Sequence, residues 1–240
     1  MARADSFGSA EEKSRYVRRM FNGISRRYDF LNHFLSAGID RRWRRRAIRA
    51  SRLTAGESIL DVACGTGDVS LEAAKARPDK IVAVDFAEGM LRGFDQKRKK
   101  LGLNGGVEII QADAERLPFP DSTFDVTAVA FGVRNFGNLE RGVVEMRRVL
   151  KPEGRLVVLE FSKPHRFPFR QIYFFYFKRV LPLIGRTVSG DPGAYSYLPG
   201  SVTIFPDGEE FAEILRRSGF RDVILDKLTF GIATIYIGVK

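Results

Sequence analysis

The 240-residue sequence contains very little cysteine, histidine and tryptophan, and it has no long apolar run. With one Cys, two His and one Trp, an internal disulfide framework and a cysteine-rich zinc site are excluded. No run of about eighteen apolar residues occurs, so we expect no transmembrane helix. The arginines near the N-terminus are not followed by an apolar segment, which argues against a secretory signal. We therefore expect a soluble, cytoplasmic protein.

Acidic residues are scarce in two segments, and the net charge of +11 is concentrated there. Residues 1–52 hold fourteen Lys and Arg against five Asp and Glu, and residues 163–190 hold six basic residues and no acidic one. Such segments favour contact with phosphates, whether these belong to a nucleic acid or to an anionic lipid. The alternative interpretation is an ordinary solvated basic face.

Short apolar runs alternate with amphipathic stretches through the middle of the chain. Helices are predicted after the first run, to about residue 76, and at 87–102 and 139–150. This alternation predicts an α/β fold with a mostly parallel sheet and helices on both faces. The runs interpreted as strands cover residues 58–63, 80–85, 107–113, 124–131 and 155–161.

Both ends of the chain depart from this alternation. Residues 1–52 predict a basic helical segment, in which Asp40 is expected to cap a helix. Residues 163–205 predict a cap or insertion after the fifth strand, and its part 167–186 is aromatic and basic. A helix is predicted over 206–220. A closing antiparallel hairpin around Gly231 then adds two strands to the five, which gives a predicted sheet of seven. We expect the whole chain to form one domain.

The stretch ILDVACGTGD, residues 59–68, joins the first strand to a glycine-rich turn. Glycine lets a ligand approach the backbone closely, and ligands of open α/β sheets lie beyond the carboxyl ends of the strands. A dinucleotide fingerprint needs a third glycine where this chain has Ser70, and no Gly-Lys-Ser/Thr sequence follows. Pyrophosphate and triphosphate ligands are therefore poorly supported.

Acidic residues at successive strand ends indicate a different ligand. Asp85 ends the second strand, where a carboxylate accepts hydrogen bonds from ribose hydroxyls. Asp113 ends the third strand, next to the expected position of an adenine, and Asp61 lies near the expected position of an amino-acid ammonium group. Ribose, adenine and a cationic amino-acid tail without pyrophosphate describe S-adenosylmethionine. Each Asp alone would be read as a helix cap or turn former.

The sequence resembles the class I S-adenosylmethionine-dependent methyltransferases, and more narrowly the family that C-methylates the quinol ring in menaquinone and ubiquinone biosynthesis. The resemblance covers nearly the whole chain, and the glycine turn alone marks only the superfamily. It implies a Rossmann-like fold and cofactor contacts at residues matching Thr66, Asp85, Asp113 and Ala114. The motifs are YDFLNHFLSAGIDRRWR (28–44), ILDVACGTGD (59–68), DAERLPFPDSTFD (113–125), FGVRN (131–135), RVLKPEGRLVVLEFSKP (148–164) and YSYLPGSVTIFP (195–206). The candidate cofactor-binding residues are Asp61, Gly65, Thr66, Gly67, Asp85, Phe86, Asp113 and Ala114.

The resemblance also implies methyl transfer to a ring carbon, without a metal ion. Arg134 and Asn135 follow the fourth strand, and we expect Arg134 to stabilise the phenolate and Asn135 to orient a ring hydroxyl. Tyr195 is the third candidate catalytic residue, and Tyr28 is expected to close the pocket from the N-terminal helices. Without the resemblance, Arg134 and Asn135 would be interpreted as a salt bridge and a turn.

The expected substrate is a membrane-embedded polyprenyl quinol, with demethylmenaquinol favoured and a benzoquinol of ubiquinone biosynthesis as the alternative. The basic segments then predict peripheral contact with an anionic membrane surface, at the inner face of the membrane. An RNA or DNA methyltransferase is a rival hypothesis, but FGVRN stands where an Asn/Asp-Pro-Pro-aromatic sequence is usual, so no nucleic-acid partner is expected. A membrane scaffold that has kept only the fold is a third hypothesis. A homodimer stays open.

Overall fold

A computed structural model describes residues 7–25, 36, 38–102, 106–164, 167–175, 179 and 192–240 of the chain. Its centre is a seven-stranded sheet in the order β3-β2-β1-β4-β5-β7-β6. Strands β1 to β5 pair in parallel, and β7 pairs antiparallel with both β5 and β6. This arrangement confirms the predicted mostly parallel α/β sheet. The strands are β1 Ser58–Val62, β2 Lys80–Asp85, β3 Val107–Gln111, β4 Phe124–Ala130, β5 Leu150–Phe161, β6 Arg221–Leu228 and β7 Ala233–Val239.

Helices cover both faces of the sheet, so the central strands are buried on both sides and are apolar almost throughout. In β1, for example, Ile59, Leu60 and Val62 are completely buried. The described helices are α1 Ala10–Ile24, α2 Ile39–Ala50, α3 Asp68–Ala73, α4 Glu88–Lys100, α5 Leu139–Val149, α6 Phe169–Phe175, α7 Pro192–Ile204 and α8 Glu209–Arg217. A short 3-10 turn, Ala74–Ala76, continues α3 to the residue where the sequence predicts the helix end.

Two local predictions differ from the structure. Asp40 does not cap α2, because Gly38 precedes the helix in a left-handed conformation (φ 75°) that a residue without Cβ adopts readily. Asp40 instead lies in the first turn, where it accepts a hydrogen bond of 2.7 Å from Ser36 and pairs with Arg44. Strand β5 begins at Leu150, before the predicted residue 155, because Phe124 pairs with Leu150 ahead of a register irregularity.

The N-terminal helix α1 lies over the carboxyl edge of the sheet rather than against one of its faces. Asn22 accepts a hydrogen bond of 2.7 Å from the backbone N–H of Gly89, at the start of α4. Lys13 donates from Nζ to the backbone oxygens of Arg134, at 3.1 Å, and of Phe136, at 2.5 Å. This helix therefore forms a wall over the edge where the sequence places the candidate site.

Parts of the predicted N-terminal segment and of the predicted insertion lie outside the described residues. Tyr28 belongs to that undescribed part, as do most of residues 176–191 in the predicted insertion. Within the described ranges, no helix is both long enough and apolar enough to cross a membrane.

Candidate functional site

The glycine turn after β1 is shaped by two backbone hydrogen bonds. Cys64 N–H donates to the Val84 carbonyl and Gly67 N–H donates to the Cys64 carbonyl, both at 2.9 Å. Gly67 has φ 83°, and a Cβ there would lie 2.1 Å from a ring carbon of Phe94. Only glycine meets both the conformational and the steric demand at this position. The turn is thus held tightly between β1 and α4, with its outer side open.

Asp85, the last residue of β2, ties this turn to the neighbouring strand. One carboxylate oxygen accepts from Gly65 N–H and the other from Ala87 N–H, each at 2.8 Å. Burial raises the pKa of Asp85, and these backbone hydrogen bonds oppose that effect. The carboxylate is therefore fixed at the strand end, in the position that the sequence assigns to the partner of a ribose.

A cleft opens between this strand end and α1, with about 730 Å³ of space when open solvent is included. The cleft runs from the ends of β2 and β3 to the segment after β4. It brings together six of the candidate residues, namely Gly65, Asp85, Phe86, Asp113, Ala114 and Asn135.

Asp113 and Ala114 form the far wall of this cleft, after β3. Asp113 is exposed, and one of its carboxylate oxygens accepts a hydrogen bond of 2.9 Å from Glu115 N–H. The Phe86 ring forms the near wall, with the Arg18 guanidinium 4.9 Å from its centre. This part of the cleft is therefore lined by an aromatic ring and by the polar end of a strand.

A second hollow, of about 310 Å³ including open solvent, adjoins the cleft and shares Gly65 with it. Asp61 and Thr66 line it, and both are buried, with Asp61 only 1% exposed. Asp61 Oδ2 accepts from Ser70 N–H at 3.0 Å and from Ser70 Oγ at 2.6 Å. Asp61 Oδ1 has no hydrogen-bond partner among the described residues. Burial raises the pKa of Asp61 to about 7.

The two connected spaces fit S-adenosylmethionine. The buried, unpartnered Oδ1 of Asp61 needs a donor, and the ammonium group of an amino-acid tail supplies one. The larger cleft offers Asp85 and Asp113 at adjacent strand ends, where their carboxylates can accept hydrogen bonds from a nucleoside. Gly67 lines neither space and acts through the shape of the turn.

Arg134 lies beside the larger cleft but not in its wall. Its Nη1 donates to Glu160 Oε1 and to the Phe131 carbonyl, each at 2.6 Å. Glu160 is completely buried, and its burial raises its pKa although the Arg134 charge opposes that effect. Arg134 Nε is buried without a hydrogen-bond partner in the described chain. This ion pair and the 3-10 turn over Val133–Asn135 match the alternative interpretation of the Arg-Asn pair as a salt bridge and a turn. Glu160 was not identified as the partner from the sequence, although a Glu inside an apolar strand is a signal for a buried cation.

Asn135 is the member of the Arg-Asn pair that faces the cleft. Its amide nitrogen donates to the Phe131 carbonyl at 3.3 Å, which is the same oxygen that Arg134 contacts. Its Oδ1 is buried and lacks a partner among the residues described. Tyr195 belongs to α7, but its side chain lies outside the described part of the chain. Two residues later in the same motif, Tyr197 is 2% exposed and its hydroxyl has no hydrogen-bond partner in the described ranges.

Two parts of the site come from the N-terminal helices, from which only Tyr28 was expected to contribute on the basis of the sequence. Arg44 of α2 lines the smaller hollow. The wall that α1 contributes to the cleft consists of Ser14, Val17, Arg18 and Phe21. Helical periodicity predicts which face of a helix is apolar, but it does not predict which element that face covers.

Known proteins resemble this chain over nearly its whole length. A "Ubiquinone/menaquinone biosynthesis C-methyltransferase UbiE" of Geobacter sulfurreducens is 51% identical, over 95% of this chain and 90% of that protein. A "Demethylmenaquinone methyltransferase" of Bacteroides fragilis is 44% identical, over 95% of this chain and 94% of that protein.

The fold is also shared with solved structures. A SAM-dependent methyltransferase from Aquifex aeolicus superposes with a TM-score of 0.60 at 23% identity, over 82% of this chain and 88% of that one. At that identity the likeness shows the fold alone. The model of the ubiE/COQ5 methyltransferase family matches residues 9–240. The chain therefore belongs to the ubiE/COQ5 methyltransferase family.

Proposed function

We propose that this protein transfers the methyl group of S-adenosylmethionine to a ring carbon of a polyprenyl quinol, with demethylmenaquinol as the favoured acceptor. The observation that carries the proposal is the continuous cleft from Asp85 and Asp113 to Asn135. One end carries two carboxylates that suit a nucleoside, and the other is lined by Asn135, whose buried Oδ1 lacks a partner among the described residues. The relatives from Geobacter sulfurreducens and Bacteroides fragilis are named as methyltransferases of quinone biosynthesis and of demethylmenaquinone, respectively, which supports this proposal.

In this proposal, the residues of the two spaces bind different parts of the cofactor. Asp61 holds the ammonium group, Asp85 accepts from the ribose hydroxyls, and Asp113 with the Ala114 backbone lies at the adenine edge. Phe86 packs against the nucleoside, Gly65 lies where the two spaces meet, and Thr66 lines the smaller hollow. The cofactor, when bound, supplies an electrophilic methyl group on a sulfonium.

The chain must make the acceptor carbon nucleophilic and hold it in line, and correct positioning alone lowers a barrier by up to about 7–11 kcal/mol. We assign Asn135 to a ring hydroxyl, because the residue lines the cleft and its Oδ1 lacks a hydrogen-bond partner among the described residues. Arg134 supplies positive charge from behind the Phe131 carbonyl, and its Nε is the uncommitted donor. Together they favour the phenolate form of the acceptor. Tyr195 is assigned to the same pocket on its sequence position.

The benzoquinol of ubiquinone biosynthesis remains the alternative acceptor. Nothing in the described wall of the cleft selects a bicyclic over a monocyclic ring. A nucleic-acid acceptor is the weaker rival, because the segment after β4 reads FGVRN and contains no Pro-Pro-aromatic sequence. A homodimer is compatible with all of these acceptors.

Peripheral attachment to an anionic bilayer is part of the proposal, since the acceptor carries a lipid tail. Phe167, Phe175 and Phe230 are 80%, 65% and 66% exposed, and Phe230 stacks on Phe169 at 3.8 Å between ring centres. Exposed aromatic side chains of this kind enter the bilayer interface. We name these four residues the aromatic patch.

The aromatic patch lies on the same edge of the sheet as the candidate site. Phe230 precedes β7, whose Ala233 pairs with Phe161 at the carboxyl end of β5. Trp43 Nε1 donates to Thr229 Oγ1 at 2.9 Å, which places the first turn of α2 beside the patch. Arg41 and Arg42 of that turn are exposed and have no ion pair with a described residue. Their charge complements anionic headgroups.

The test of the proposed reaction compares reduced with oxidised acceptor. The protein is incubated anaerobically with S-adenosylmethionine and a short-tailed demethylmenaquinone, with and without chemical reduction. Methylated product is expected only from the quinol, because its hydroxyl group activates the ring carbon. Equal methylation of the quinone, or no methylation of the quinol by a protein that binds the cofactor, contradicts the proposal.

A further inference from the structure

The smaller hollow has a charged wall that the sequence motifs of the strand ends do not include. Arg44 of α2 lines it together with Asp61 and Asp68. The Arg44 side chain is only 8% exposed, so its charge is largely removed from water. A buried guanidinium is stable only when nearby groups compensate its charge and satisfy its donors.

The orientation of Arg44 is fixed by contacts on one side of its guanidinium. Nη1 pairs with Asp40 and lies 3.6 Å from Asp68 Oδ2. The guanidinium also lies 5.3 Å from the centre of the Phe131 ring. Nε and Nη2 make no hydrogen bond to any residue that the structure describes. Arg44 therefore keeps directed donors beside the hollow.

The hollow also contains an acceptor. Asp61, which lines it with Arg44, has a buried Oδ1 that is unpartnered among the described residues. Free donors and a free acceptor in the same hollow suit a zwitterion, with its ammonium group at Asp61 and its carboxylate at Arg44. An amine without a carboxylate would satisfy only Asp61.

We infer that Arg44 binds the carboxylate of the amino-acid tail of S-adenosylmethionine, and that α2 thereby selects the intact tail over a decarboxylated one. The inference rests on the proposed cofactor but not on the identity of the acceptor. It assigns a specificity-determining role to a helix whose apolar residues, such as Trp43 and Ile48, are buried in the core. Charge-assisted, bidentate pairing is what Arg offers to a carboxylate.

The experiment measures dissociation constants by calorimetry on the full chain, for S-adenosylmethionine and for decarboxylated S-adenosylmethionine. The second ligand keeps the ammonium and sulfonium groups and lacks only the carboxylate. The native protein is expected to prefer the intact ligand by about tenfold to a hundredfold, the range for a hydrogen bond to a charged group. No preference in the native protein overturns the inference, and this arm needs no variant.

The variant Arg44→Met is expected to lose affinity for the intact ligand by about the same factor and to keep its affinity for the decarboxylated one. Arg44→Lys is expected to restore part of the preference, because it restores the charge. Arg49→Met is the matched control, since Arg49 is exposed on the same helix and lines neither space. Thermal unfolding of each variant verifies that it is folded.

Other results separate this inference from the proposed function. If Arg44→Met weakens both ligands equally, Arg44 supports the fold of the hollow and the inference fails. If the native protein binds the intact ligand without preference and methylates the quinol, the inference fails and the proposed function stands. If the native protein binds neither ligand, the cofactor assignment fails, and both fall together.

Discussion

Asp61 carries the clearest pH signature of any candidate residue. Its pKa is about 7 in the folded chain, against a usual value of 3.8. Between pH 3.8 and about pH 7, Asp61 keeps its proton in the folded state and has lost it in the unfolded state. The contribution of Asp61 to stability is therefore largest below about pH 4 and decreases until about pH 7. The same carboxylate must be ionised to attract an ammonium group.

We predict that the cofactor binds more tightly as pH rises from 6 to 8, because Asp61 becomes ionised in that range. The change is expected to approach about tenfold per pH unit below the pKa. Calorimetry at several pH values measures it, and Asp61→Asn is the control, since any slope that remains reports the amino group of the ligand. Identical slopes in both proteins would show that Asp61 does not face that group.

Arg134 combines a chemical role with a structural one, so a single substitution does not separate them. Removing its side chain leaves Glu160 completely buried without its Nη1 partner, at a cost of about 3–5 kcal/mol in the free energy of unfolding. The double variant Arg134→Met, Glu160→Gln removes both charges and keeps the bulk. We predict that it folds, binds the cofactor and turns over at least about a hundredfold more slowly.

Glu160→Gln alone keeps the Arg134 charge and is the comparison for this variant. It is expected to retain much more turnover than the double variant, as measured by steady-state methyl transfer at saturating cofactor. A double variant that is folded and fully active would remove Arg134 from the proposed reaction.

At the scale of elements, the glycine turn after β1 packs against the Phe94 ring of α4 at Gly67. Gly56 and Gly67 have nearly the same φ, 85° and 83°. A Cβ at Gly56 would meet nothing within 4 Å, whereas at Gly67 it would overlap the buried Phe94 ring. The two positions therefore separate the cost of the backbone conformation from that of the overlap.

We predict that Gly67→Ala lowers the free energy of unfolding more than Gly56→Ala does, by about 1–3 kcal/mol, the usual cost of overpacking a core. Urea denaturation of both variants measures the difference. Equal losses in the free energy of unfolding would mean that the Phe94 ring moves away at little cost. The turn would then require glycine at residue 67 only because of its positive φ.

Element positions followed from the sequence where local pattern and tertiary structure agree. Strand β2 has its predicted bounds, 80–85, because an apolar run buried on both faces is marked by its own composition. The prediction that Asp40 caps α2 was wrong. Gly38 and Asp40 both suit a helix start, and only the backbone conformation decides between them. The packing of α1 over the cleft depends on Asn22 and Lys13 meeting residues far along the chain. Local patterns carry no information about such contacts.

At the scale of the whole molecule, the candidate cleft and the aromatic patch share one edge of the sheet. The sequence predicted the aromatic and basic character of 167–186. It did not predict that Phe230, from the closing hairpin, stacks on Phe169. In the structure, Thr229 and Phe230 have φ 45° and 58°, which presents the Phe230 ring on the exposed tip of the hairpin. A patch built from two distant segments becomes visible only in three dimensions.

We predict that Phe230→Asn lowers binding to vesicles of mixed neutral and anionic lipid by about tenfold, the scale of losing one buried aromatic side chain. Asn tolerates positive φ, so the hairpin is retained. Leu101→Asn is the matched control, because Leu101 is 59% exposed and follows α4 at the opposite edge of the sheet. Vesicle sedimentation measures both variants. Equal binding by Phe230→Asn and native protein would argue against attachment through the patch.

The central claim is methyl transfer to a quinol ring, and one experiment tests it most directly. The purified protein receives methyl-labelled S-adenosylmethionine together with reduced demethylmenaquinone, a matched benzoquinol or bulk RNA, in parallel reactions followed by mass spectrometry. The proposed function predicts label on the naphthoquinol ring carbon, with the benzoquinol as the second acceptor if the cleft takes both rings. Label on RNA alone, or on no acceptor while the cofactor is bound, would contradict it.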